Sequence, residues 1–173
     1  RLLHGLREDE RLSILHTDNG NPSIIAENLE PSEEITKTLV ETLSDGAVLS
    51  FGLESADPSV HEANWLNCDP AQLKSAIRLI NKHGSVRGER GLPKLLPGLN
   101  FIAGLNGETE QTYTMNMDLL REIRKEGLLL RRINIRQVEG EGFQEVPSEA
   151  FASFKTACRD EIDKPLLEEL FPL

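Results

Sequence analysis

Polar residues able to do chemistry stand at alternate positions in four apolar stretches of the chain. Ser50 and Glu54 fall in AVLSFGLE, Asn100 in LNFIAGL, Asn134 and Arg136 in LLLRRINIRQV, and His16 and Asp18 at the end of LSILHTD. Successive side chains of a strand point to opposite faces. Leu49, Phe51 and Leu53 therefore share one face and Ser50, Gly52 and Glu54 the other. Leu99, Phe101 and Ala103 likewise oppose Asn100, Ile102 and Gly104, and Ile133 and Ile135 oppose Arg132, Asn134 and Arg136. In the first stretch Ser13, Leu15 and Thr17 alternate with Ile14, His16 and Asp18. One concave face thus collects His16, Asp18, Ser50, Glu54, Asn100, Asn134 and Arg136. Two kinds of chemistry fit it: an acid–base pair of Glu54 with His16, or a polar ligand-binding surface. A structural pairing of Glu54 with Arg136 in a wet lumen explains the same pattern, because buried charges need partners or water.

The turn Gly104-Leu105-Asn106-Gly107-Glu108-Thr109 lets the backbone approach a ligand and then opens a helix with free N–H groups. Gly98, Gly104 and Gly107 lack the dinucleotide-binding spacing. No phosphate-loop lysine follows, and no serine nucleophile elbow occurs. Cys68 and Cys158 stand ninety positions apart, too few and too distant for a disulfide framework or a cysteine-rich metal site. They read as inert structural thiols.

The elements that must position these residues alternate strand and helix. Leu12–Thr17 reads as the first strand, ended by the turn residues Asp18-Asn19-Gly20-Asn21-Pro22. A helix follows Pro31, with Ile35, Leu39, Val40 and Leu43 at helical spacing and Gly46 beyond its end. Residues 47–53 form the second strand. Asp69-Pro70 starts a helix with Leu73, Ile77 and Ile80 on one face, stopped by Gly84. Residues 85–98 are a loop rich in glycine, proline and cations, and Arg87, Arg90 and Lys94 make it a candidate lid. Residues 99–105 are the third strand, a helix runs on to Glu126, and residues 128–138 are the fourth. A loop over 139–147 precedes a mostly helical tail over 148–170, with Phe151, Phe154, Cys158 and Ile162 on one face. Four strands joined by helical crossovers demand a parallel sheet, either an open half-barrel or a doubly wound sheet, with ligands at the carboxyl ends of its strands.

The 173 residues carry a net charge of −10, with Asp and Glu outnumbering Lys and Arg 29 to 19. That balance disfavours unassisted binding to nucleic acid or an anionic membrane. An acidic surface with more arginine than lysine suits a salt-adapted cytoplasm. No apolar run is long enough to span a membrane, and no signal peptide opens the sequence. The sequence starts at Arg1 without an initiator methionine, and Leu2-Leu3-His4-Gly5-Leu6 reads as the end of a preceding helix, as expected of part of a longer chain.

The pair of strand ends Ser50-Phe51-Gly52-Leu53-Glu54-Ser55 and Asn100 to Thr109 (NFIAGLNGET) resembles the radical S-adenosylmethionine superfamily. Within it, LLPGLNFIAGLNGET over 95–109 and RRINIRQV over 131–138 resemble an archaeal group of uncharacterised iron–sulfur oxidoreductases. The resemblance runs from about Leu12 to Leu167. It implies an α/β fold, the carboxyl-terminal portion of a partial (β/α)6 TIM-like barrel. Residues 1–138 would form that half-barrel, and 139–173 a loop and helical tail. It implies S-adenosylmethionine and a [4Fe–4S] cluster as cofactors of the longer protein. The CxxxCxxC loop would lie in a missing amino-terminal part of the same chain, so these residues alone would hold neither cofactor nor activity.

By the same resemblance, Ser50, Glu54 and Ser55 would contact the cofactor's ribose or methionine carboxylate, and Ile102, Gly104 and Glu108 its adenine. Asn100 stands where the family pattern has its first glycine, and Glu108 one position past the family's acid. His16, Asp18, Asn100, Asn134 and Arg136 would face substrate, and no metal ligand is assigned. Longer members of the group it resembles carry a helix–hairpin–helix element further toward the carboxyl terminus, which implies nucleic acid as a possible partner through regions outside this chain. The alternative from a different class is a non-catalytic nucleotide- or RNA-binding half-barrel. In either case an unpaired first strand offers an edge for dimerisation.

Overall fold

The computed structural model describes residues 2–171. A short helix α1 (Leu2–Arg7) precedes β1 (Asn19–Gly20), α2 (Pro22–Glu27) and α3 (Leu29–Thr42). β2 (Ala47–Glu54) leads through α4 (Pro58–Asn64) and α5 (Pro70–Gly84) to β3 (Leu95–Ala103). α6 (Glu110–Lys125) leads to β4 (Arg132–Gln137). The tail is α7 (Ser148–Ala157), a π-helical turn (Cys158–Asp163) and α8 (Lys164–Leu170).

The four strands are parallel and lie in sequential order β1-β2-β3-β4. A doubly wound sheet reverses direction at its first strand. Sequential order with right-handed crossovers instead puts every connecting helix on one side. The protein is therefore α/β and barrel-like: a singly wound, open sheet consistent with part of a (β/α) barrel, with a helical tail. On the helical side Leu49, Phe51, Leu53, Leu99, Phe101 and Ala103 pack against Leu73, Ile77, Ile80, Met117, Leu120 and Ile123, the parity expected from the sequence. The tail closes this core, with Phe154 meeting Phe101 edge to face at 5.6 Å. Its buried residues Phe154, Cys158, Ile162, Leu166 and Leu170 recur every fourth position, a longer repeat than the 3.6-residue turn of an α-helix. The wider π-helical turn over 158–163 keeps that stripe facing inward.

Three local expectations are corrected. Residues 12–17 form no strand; Leu12 and Ile14 are exposed, and the segment is held mainly by the backbone of Leu15 on Ser44. Pairing with β2 starts only where Ser50 N donates to Asp18 O, so β1 consists of two residues read as turn. β3 begins at Leu95, four residues before the expected Leu99, which shortens the loop to 85–94. Helices α2 and α4 were not foreseen, although Asn21-Pro22 and Asp57-Pro58 are the same cap-and-proline signal as Asp69-Pro70. All three cap side chains accept backbone N–H bonds at their helix starts.

Candidate functional site

The face of the sheet away from the helices carries a cleft of 320 Å³. The strand register arranges it in layers. Asn19, Ser50, Gly98 and Arg132 lie side by side at its end toward the strand amino termini, Gly52, Asn100 and Asn134 come next, and Ile102 pairs with Arg136 near the carboxyl rim, where Glu54 closes β2. In the first layer the exposed Arg132 guanidinium donates to Ser50 Oγ at 2.9 Å, and Ser50 is buried. Gly98 lies between them. A Cβ there would stand 3.2 Å from Ser50 Oγ and 3.3 Å from Arg132 Cγ, so the missing side chain is what lets the arginine cross β3. One layer up, Asn134 Nδ2 donates to Asn100 Oδ1 at 2.8 Å.

Glu54 is the exceptional residue of the rim. A bulge between Gly52 and Glu54 breaks the β2–β3 register, and Glu54 takes φ = 69°. That left-handed conformation costs a residue with a Cβ about 1–2 kcal/mol. Its side chain folds back over Gly52, and its Oε2 is buried with no hydrogen-bond partner. Burial pushes its carboxyl pKa up, and the Arg136 guanidinium pulls it partly back.

Behind Glu54 the turn is held from outside the cleft. Ala56 N donates to Asn116 Oδ1 at 2.7 Å, Asp57 N to Ser55 Oγ at 3.1 Å, and Thr112 Oγ1 to Asp57 Oδ2 at 2.6 Å. Ser55, Asp57, Thr112 and Asn116 are all buried. The network anchors the end of β2 to α6.

The cleft brings together Asp18, Ser50, Glu54, Asn100, Ile102, Asn134 and Arg136 of the residues singled out in the sequence, and adds Asn19 and Arg132. Asn19 had been read as a turn former, and Arg132 had the right parity without being singled out. His16 is exposed and does not line the cleft, so the structure does not bring it to Glu54 as an acid–base pair. Ser55 is fully buried behind the rim. Glu108 is buried too, its Oε2 accepting from Gly104 N at 2.9 Å and Tyr113 Oη at 2.7 Å, which fixes the loop after β3. Gly104 takes φ = +96°, and a Cβ there would lie 2.4 Å from the Val138 carbonyl oxygen.

The cationic loop is not a lid. Arg87 donates to the carbonyls of Glu169 and Leu170 at the end of α8, and Lys94 pairs with Asp45 at 2.9 Å. Both interactions lie at the amino ends of the strands, opposite the rim.

Cys68 and Cys158 are buried, and burial pushes both thiols up to about 12. Among the described residues no three His, Cys, Asp or Glu side chains gather as metal ligands. No helix among them is long and apolar enough to cross a membrane.

No protein-family model matches the chain. It is 39% identical over 182 residues to an uncharacterised protein of Methanocaldococcus jannaschii, covering 99% of this chain and 34% of that one. It is 42% identical over 172 residues to an uncharacterised protein of Archaeoglobus fulgidus, covering 94% of this chain and 32% of that one. The chain thus spans about a third of the length of the curated relatives it matches.

Proposed function

We propose that this chain is the carboxyl-terminal part of a radical S-adenosylmethionine half-barrel, supplying the ribose and adenine contacts and the substrate side of a longer cytoplasmic enzyme. The observation that carries the reading is Glu54: a strained residue at the carboxyl end of a parallel strand, holding an unpartnered buried oxygen beside a polar cleft. Strain and an orphaned acceptor persist where surrounding structure enforces them for a ligand. The residues present fit the nucleoside part of the cofactor. Glu54 lines the cleft with a carboxyl group suited to ribose hydroxyls, Ile102 offers an apolar surface for a flat base, and Arg136 favours the ionised carboxylate. They do not fit the cluster, because two separated thiols raised to about 12 cannot supply three thiolates.

When bound, the cofactor supplies bond homolysis and hydrogen abstraction. This chain's part is to bind, orient and exclude water. The Asn116–Ser55–Asp57–Thr112 network keeps Glu54 in its strained backbone state, while the Asn100–Asn134 amide pair and the two arginines line the substrate side. Ser55, Gly104 and Glu108 support the rim from behind; they act on the cofactor through the backbone they hold.

The test uses the longer protein containing this chain, reconstituted with iron and sulfide under argon and reduced with dithionite. The expected result is 5′-deoxyadenosine formed from S-adenosylmethionine, lost in Glu54→Ala with cluster absorbance unchanged. Absence of both cluster absorbance and cleavage overturns the proposal and leaves a nucleotide- or RNA-binding half-barrel as the alternative to pursue.

A further inference from the structure

We infer that the Asn19–Ser50–Gly98–Arg132 layer of the cleft is an anion-binding subsite, in which Arg132 receives a phosphate or carboxylate group of the substrate. Neither Arg132 nor Arg136 forms an ion pair among the described residues, whereas Lys74, Lys94, Arg121 and Arg124 all pair with carboxylates. Arg132 is exposed to the cleft and held by a neutral group, the buried Ser50 hydroxyl, so its position is set while its charge faces solvent rather than a carboxylate. That bond uses one corner of the guanidinium fork. The other donors stay available for the bidentate contact that arginine makes with carboxylate or phosphate oxygens. Room for this arrangement depends on Gly98, whose absent side chain leaves the channel Arg132 occupies.

The rest of the wall defines what accompanies the anion. Asn100 and Asn134 bond to each other at 2.8 Å and keep further amide donor and acceptor capacity. Asp18 and Glu54 are the carboxylates of the cleft, and Arg136 is its second cation. Asp18 lines the β1 side, across the sheet from Arg132 on β4. It repels a second anionic group and accepts from hydroxyl or ammonium donors. Ile102 is the apolar side chain of the lining. The chemistry points to a small, strongly polar substrate, with one anionic group at Arg132 and hydrogen-bond donors toward Asp18.

The assignment of this anion to a substrate rests on the proposed function; the anion site itself does not. Inorganic phosphate and acetate are titrated separately into the isotope-labelled chain, followed by amide and arginine side-chain shifts. The expected result is saturable shifts at Ser50, Gly98 and the Arg132 side chain, weakened at least tenfold in Arg132→Gln. Gly98→Ala, whose Cβ displaces the arginine without removing it, should weaken binding as well. Arg87→Gln, outside the cleft and bonded to the end of α8, should change it less than threefold.

No saturable shift with either anion, or shifts that survive Arg132→Gln in a chain whose remaining spectrum is native, overturns the inference. Anion binding here without S-adenosylmethionine cleavage in the longer protein would overturn the cofactor assignment and leave this subsite standing. Cleavage without anion binding would do the opposite.

Discussion

Replacing Glu54 by glycine should make the folded chain more stable than replacing it by alanine, which reverses the usual order of the two residues in a strand. Glycine normally costs about 0.5–1 kcal/mol relative to alanine through the entropy it adds to the unfolded chain. At φ = 69°, however, alanine retains the steric clash of a Cβ, about 1–2 kcal/mol, and glycine removes it. At the midpoints of the two ranges the glycine variant is ahead by about 0.75 kcal/mol, or roughly 1.5–3 °C in melting temperature for a chain of this size. Urea denaturation of both variants at one salt concentration measures it. If the alanine variant matches or exceeds the glycine variant, Glu54 is not strained, and the argument that a ligand accounts for that strain falls with it.

Glu54→Gln separates the charge from the strain. Burial raises the Glu54 pKa in the folded chain, so between the unfolded value of about 4.5 and the raised folded value the unfolded state binds fewer protons. The wild type must therefore lose stability relative to Glu54→Gln as pH rises through that window, and the difference must level off above it. Arg136→Gln removes the one favourable charge acting on Glu54 and should extend the window upward. A wild type that gains on the glutamine variant with rising pH would show a carboxylate that is paired, not orphaned.

Gly84→Ala places a Cβ 2.0 Å from the Leu95 carbonyl oxygen and should cost about 1–3 kcal/mol or more by overpacking α5 on β3; an unchanged urea midpoint refutes that contact. Arg87→Ala frees the last carbonyls of α8 and should cost about 1 kcal/mol while leaving phosphate shifts in the cleft untouched. An altered cleft would restore the loop as a lid. Thr112→Val removes the donor to buried Asp57 and should cost about 1–3 kcal/mol, read as a lower denaturation midpoint. Cys68 and Cys158, raised to about 12 by burial, should resist iodoacetamide in the native chain at mildly alkaline pH and both react in denaturant; rapid native labelling of either refutes its burial.

The alternation of strand residues carried most of the site, because a parallel sheet covered on one side forces a strict two-residue period onto both faces. That period placed Ser50, Asn100, Asn134 and Arg136 correctly without knowledge of the register. What it could not carry depends on neighbouring strands. Arg132 reaches Ser50 only because Gly98 falls between them, and that is a fact of register. The bulge that gives Glu54 its left-handed backbone is likewise set by the β2–β3 pairing and the anchor on Asn116, sixty positions away. Glu108 was misleading for a local reason: it looks free in the sequence, yet its carboxylate fixes the turn it belongs to. The first strand failed because LSILHT has strand composition but meets only isolated bonds near Ser44, and pairing is what makes a strand.

The cationic loop shows how connectivity alone could have decided a functional question. A segment that follows a helix and precedes a parallel strand must lie at the amino ends of the sheet, whereas ligands of such sheets bind at the carboxyl ends. Residues 85–94 join α5 to β3 and were therefore on the wrong side of the molecule to close the cleft, whatever their charge. The same reasoning isolates Glu54. Among the described residues two non-glycines take positive φ, and Trp65 is accounted for as the left-handed cap that ends α4. Glu54 ends a strand, where no such cap is needed, and it also holds the buried oxygen without a partner. Two departures from local rules coincide on one side chain, at the carboxyl end of a parallel strand and beside the cleft. Folding alone would remove both with a glycine at this position.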